Sequence, residues 1–73
     1  MTNTEKLNEK IKNLGLKKIW ICKQLGLSKE GFRKKAENIT EFTPSEIKKM
    51  CQILGIKSLR EKEAIFFAGE IPE

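Results

Sequence analysis

The sequence predicts an all-α fold, one compact domain of five short helices spanning residues 1–73. Three observations lead there. Apolar residues recur at spacings of three and four, and no stretch alternates with period two for long enough to make a strand. Helix caps and breakers punctuate the chain at short intervals. At 73 residues, 38% hydrophobic and 34% charged, the chain has the composition of a soluble globular domain but no length for a second one that would sense a ligand or hold a cofactor.

The elements follow in order. Leu7, Ile11 and Leu14 make one stripe on a first helix of roughly Thr4 to Leu14, which Gly15 ends by taking a positive φ. A second helix runs from about Lys17 to Leu25 with Ile21, Cys22 and Leu25 inward, and Gly26 stops it. Ser28 caps a third helix, with Leu27 placed to staple onto Phe32. Centring the buried face on Phe32 puts Ala36 beside it, turns Glu30, Arg33, Lys34 and Glu37 outward, and leaves Lys29 and Lys35 on the flanks. Asn38 then serves as a left-handed terminator. Thr43, Pro44 and Glu46 form a capping box with proline at the first position of a fourth helix, Phe42 is placed to staple onto Ile47, and the buried stripe is Ile47, Met50, Cys51 and Leu54. Gly55 ends that helix, and Ser58 with Glu61 repeats the box for a last helix through Phe67.

Charge is unevenly distributed. The net charge is +5, yet Lys17 to Lys35 holds seven cations and one acid, whereas Glu61 to Glu73 holds four acids and one cation. A face of one sign attracts polyanions. Two short helices joined by a turn containing Gly26, the second carrying exposed cations, have the layout of a helix-turn-helix, whose second helix enters a major groove about 12 Å wide. Cys22 is small enough to let the third helix approach the second.

The segments GLKKIWICKQLGLSKEGF, KKAENITEFTPSEIKKMCQILGI and EKEAIFF, in register across nearly the whole chain, resemble the phage-repressor family, the lambda repressor-like or Cro-type helix-turn-helix proteins, especially short prophage-encoded regulators. The resemblance implies a five-helix domain that binds double-stranded operator DNA and regulates transcription, usually as a homodimer on a two-fold site. It also implies that Lys18 contacts phosphate and that Lys29, Glu30 and Arg33 stand at base-reading positions. Lys18 and Lys29 replace frequent glutamines, Cys22 the usual alanine, and Asn38 a common glycine, so no operator sequence carries over.

Side-chain chemistry assigns compatible roles. Arg33 offers a planar fork for guanine O6 and N7, Glu30 accepts from cytosine N4 or pairs with Lys34, and Lys29 serves guanine or phosphate. Lys17, Lys18 and Lys34 suit phosphate, as does Ser28 at the turn. Gly31 either lets the backbone approach the groove or is simply tolerated in a first turn. Trp20 either packs across the first or last helix or meets a partner protein. Ile65, Phe66 and Phe67 either close the core or form a dimer contact with a second copy.

Other classes fit poorly. The chain has no His, Asp or Tyr, no phosphate-cradling Gly-rich loop and no nucleophilic constellation, so an enzyme is not expected. No cofactor, metal or small-molecule ligand is expected either, and Cys22 and Cys51 read as reduced apolar residues. Stacking aromatics are not interleaved with the cations, which argues against RNA. The longest apolar run, Ala64 to Ala68, is far short of the roughly 20 residues that cross a bilayer, and no leader is apparent, so the expected location is cytoplasmic. The rival function is a protein-interaction adaptor, an antirepressor or antitoxin, on the same scaffold.

Overall fold

A computed structural model describes residues 1–69 and contains five helices: α1 (Thr4–Asn13), α2 (Lys18–Leu25), α3 (Lys29–Ala36), α4 (Pro44–Leu54) and α5 (Leu59–Phe66). Each boundary lies within a residue of its expected place. Glu70 and Glu73 of the acidic end fall outside the described residues. No described helix is long and apolar enough to cross a membrane.

The ends of α1 to α4 share one device. At the close of α3 the Ile39 N–H donates to the Lys34 carbonyl at 2.8 Å and the Asn38 N–H to the Lys35 carbonyl at 3.2 Å, with Asn38 left-handed at φ +66°. This is a Schellman motif, which satisfies two carbonyls that the helix itself leaves open. The same pair of bonds closes α1, α2 and α4, with Leu16, Leu27 and Ile56 donating the longer-range bond in turn. Of the four apolar residues so placed, Ile56 is buried, Leu16 and Leu27 pack against the core, and Ile39 stays exposed.

Helix starts are capped by side chains at Asn3, Ser28, Thr43 and Ser58, each accepting from the N–H three residues on. The Thr43 box is complete, because Glu46 also accepts from the Thr43 N–H at 2.9 Å. The Ser58 box is half made. Glu61 instead turns its carboxylate to Lys10 Nζ at 3.1 Å, tying α5 to α1, which correct the expectation of a second reciprocal box. Helix α2 differs again: its N-cap is Lys17, and no side chain caps it.

Helix α2 packs on both α3 and α4, while α1 packs on α5. Leu7, Ile21 and Met50 are wholly buried at the centre. An edge-to-face run of rings joins the rest: Phe42, from the loop before α4, sits 5.9 Å from Phe32 of α3 and 5.8 Å from Phe66 of α5 between ring centroids. Such pairs add to the area burial of the rings themselves.

This packing bears on two pairs of alternatives that the sequence leaves open. Ile65 and Phe66 are each only 3% exposed, so they are core residues with no surface left for a second copy; only Phe67 is half-buried. In a domain this small, ring packing against Phe42 consumes what the sequence presents as surplus. Trp20, in turn, is 42% exposed beside Ile19 at 52%, because Ile21 and Cys22 already occupy the inward face of α2. Cys22 is buried and Cys51 half-buried, both unpaired, and burial raises the Cys51 thiol above its ordinary pKa, which suits an unreactive packing role.

An N-terminal strap completes the fold. The Thr2 N–H donates to Asn38 Oδ1 at 2.7 Å and Asn38 Nδ2 donates to the Thr2 carbonyl at 2.9 Å. Thr4 Oγ1 donates to the Ala36 carbonyl, and the Asn3 N–H donates to the Ile65 carbonyl at 2.7 Å. The end of α3 is thereby fastened to α5 through residues 2–4.

Candidate nucleic-acid interface

Three residues, Gly26 to Ser28, separate α2 from α3. Gly26 takes φ +70°, a conformation that strains any residue with a Cβ, and the Leu27 N–H returns to the Cys22 carbonyl at 2.9 Å. The chain therefore reverses tightly. Ser28 Oγ accepts from the Gly31 N–H at 3.0 Å to start α3, and a Cβ at position 31 would lie 3.1 Å from that oxygen. Gly31 thus leaves room for the capping hydroxyl. Ser28 remains exposed with its hydroxyl proton uncommitted by the cap.

Phe32 and Ala36 seal the inward side of α3, as the wheel requires. Outward stand Lys29, Glu30, Arg33 and Lys34, all exposed. A concavity of about 400 Å³ between α1, α2 and α3 gathers Lys18, Lys29, Glu30, Arg33 and Glu37 around a floor of Cys22, Phe32 and Ala36. Lys17, Ser28 and Lys34 do not line it. Four of the sequence-predicted residues are thus brought together, and three lie apart from them.

Lys35 leaves the cationic group altogether. Its ammonium lies 2.6 Å from Glu46 Oε1, with both side chains mostly covered, at 16% and 15% exposure. Burial opposes ionisation of Glu46, but hydrogen bonds from Lys35 and from the Thr43 N–H outweigh it and hold the carboxyl below its ordinary pKa. The dense charge on α3 is therefore partly a structural tie to α4.

Arg33 is also engaged. Its Nε and Nη2 both donate to the Glu30 carboxylate, and its Nη1 donates to Glu37 Oε1 at 3.0 Å. Glu30 pairs with Arg33 three residues on instead of Lys34 four residues on, since only the guanidinium offers two parallel donors. The hydrogen bond from Arg33 lowers the Glu30 pKa, and the Glu30 carboxylate in turn raises that of Arg33. Lys17, Lys18, Lys29 and Lys34 have no ion pair among the described residues.

Glu37 stands outward as the helical wheel predicts, and its spacing of four from Arg33 is the local sign of this second pairing. Thr4 and Asn8, which bring α1 to the wall of the concavity, carry no such local sign. Among the described residues no group of His, Cys, Asp or Glu is placed to hold a metal. The chain matches no family model, no curated protein and no solved structure.

Proposed function

We propose that the protein is a sequence-specific double-stranded DNA-binding regulator of transcription, of the repressor type, with α2 and α3 as its helix-turn-helix. The observation that carries the reading is α3 itself: sealed on one side by Phe32 and Ala36, braced through the Gly26 turn, and presenting Lys29, Glu30, Arg33 and Lys34 outward. A helix with that division fits a groove whose walls are phosphate and whose floor displays base donors and acceptors.

Phosphate has its own landing place in this reading. The start of α2 is uncapped by any side chain and carries Lys17 and Lys18, so its free N–H groups and two ammonium groups point to an anion. Arg33 reads guanine, Glu30 accepts from cytosine, and Lys29 and Lys34 complete the contact. One helix in one groove reads only a few base pairs, so selectivity asks for two copies on a palindromic site, with reading helices about 34 to 36 Å apart.

Selection of bound fragments from random duplex DNA at two salt concentrations tests the proposal. A recurring sequence whose binding weakens steeply with salt is the expected result. The exposed Ile19 and Trp20 favour the rival reading, a protein-interaction adaptor such as an antirepressor or antitoxin. Binding to a protein partner that survives high salt, with no duplex selected, would establish that rival instead.

A further inference from the structure

We propose that Glu37 is a specificity-determining residue that acts by positioning Arg33, holding the guanidinium against Glu30 so that Arg33 does not serve as a general phosphate contact. The inference rests on the DNA-binding reading above and adds to it a residue and a means of discrimination.

Arg33 has two donor edges. Glu30 occupies the edge made by Nε and Nη2 through two hydrogen bonds, and Glu37 takes Nη1 at 3.0 Å. Both carboxylates belong to the same exposed side of α3, three residues before and four residues after the arginine. Two acids against one base leave this triad with a charge of −1. The part of α3 that would face the groove floor therefore repels phosphate, while Lys17, Lys18, Lys29 and Lys34 around it attract phosphate.

That arrangement separates holding from reading. On a duplex with the wrong bases, Arg33 has no acceptor good enough to replace a carboxylate, and Glu30 meets no donor. Where a guanine presents O6 and N7 beside a cytosine N4, the two partners exchange together: Arg33 moves to the guanine and Glu30 to the cytosine. Glu37 keeps its hold on Nη1 throughout and aims the freed edge. Discrimination of this kind depends on a repulsive element as much as on a favourable contact.

A plain helix-stabilising pair makes a different forecast. Exposed pairs of this spacing contribute little to folding, so a purely structural Glu37 would affect melting slightly and DNA preference not at all.

The test compares wild type, Glu37→Gln and Glu37→Asp by titration against the selected duplex and against a random duplex at several salt concentrations, with thermal melting alongside. Glutamine removes the charge, whereas aspartate keeps it but is one methylene too short to hold Nη1. Both variants should melt close to wild type. Both should lose about threefold in the ratio of selected to random affinity, because a freed Arg33 gains about one exposed ion pair with the phosphates of random DNA. Both should steepen the salt slope on random DNA, glutamine the more, by about one unit, because it also removes a charge that repels phosphate. An unchanged ratio in both variants would overturn the proposal, as would an aspartate variant that discriminates like wild type, because general repulsion would then suffice. Failure of the wild type to select any duplex would overturn the DNA-binding reading itself, a separate result from a wild type that selects DNA while Glu37 proves indifferent.

Discussion

Asn38 carries a forecast that can be worked from the structure in parts. Its backbone is left-handed at φ +66°, and its side chain exchanges two hydrogen bonds with the backbone of Thr2, a residue only 7% exposed. Each bond contributes about 1 kcal/mol net, so removing both costs about 2 kcal/mol. Glycine adopts the left-handed region freely and returns roughly 0.5 to 1 kcal/mol of that, whereas alanine adds about 1 kcal/mol of strain. Asn38→Gly should therefore destabilise the protein by about 1 kcal/mol and Asn38→Ala by about 3 kcal/mol. For a domain of this size that means melting points lower by roughly 5 °C and roughly 15 °C. Thermal unfolding followed by circular dichroism, with urea titration as a check, measures both. A glycine variant more stable than wild type by roughly 0.5 to 1 kcal/mol would show that the Thr2 bonds add nothing. Equal losses in the two variants would show that the backbone at position 38 is not left-handed.

Four further outcomes are expected. Arg33→Ala should keep the fold and lose preference at one base pair by about five- to a hundredfold, read by competition with single-base operator variants, and should also weaken binding to random duplex, because Glu30 and Glu37 are left uncompensated. Lys18→Ala should weaken binding to all duplexes alike and reduce the salt slope by about one unit; a changed preference at constant slope would contradict its phosphate role. Phe66→Ser should lower the melting temperature sharply, since truncating a buried Phe costs about 3 to 5 kcal/mol, while half-buried Phe67→Ser should lower it much less. Because the folded protein holds Glu46 below its ordinary value of 4.5, the stability from its bonds with Lys35 and Thr43 is present above that pH and is lost as pH falls through the lower folded value. Glu46→Gln should accordingly flatten the acid limb of the unfolding curve and leave the protein less stable at neutral pH.

What the sequence determined by itself is the division into helices. The stops at Gly15, Gly26, Asn38 and Gly55 and the caps at Ser28, Thr43 and Ser58 all appear where expected, because these bonds join residues three to five apart and need no tertiary partner. The inward turn of Phe32 and Ala36 was legible for the same reason, since a helical period decides which residues share a face. Arg33 marks the edge of that legibility. Its carboxylate partners are local, yet Glu30 had a cation at each of two spacings, and the side-chain fork chose between them. Beyond one helix, only the tertiary structure could decide. Lys35 meets Glu46, Lys10 meets Glu61, and Thr2 meets Asn38 because parts of the chain far apart in sequence are brought together. Trp20 stays exposed and Phe66 is buried although both look equally apolar in the chain, because Ile21 and Cys22 fill the core side of α2 while Phe42 supplies Phe66 with a ring to pack on. Apolarity sets how much is gained by burial, and the arrangement of neighbouring helices sets which residue receives it.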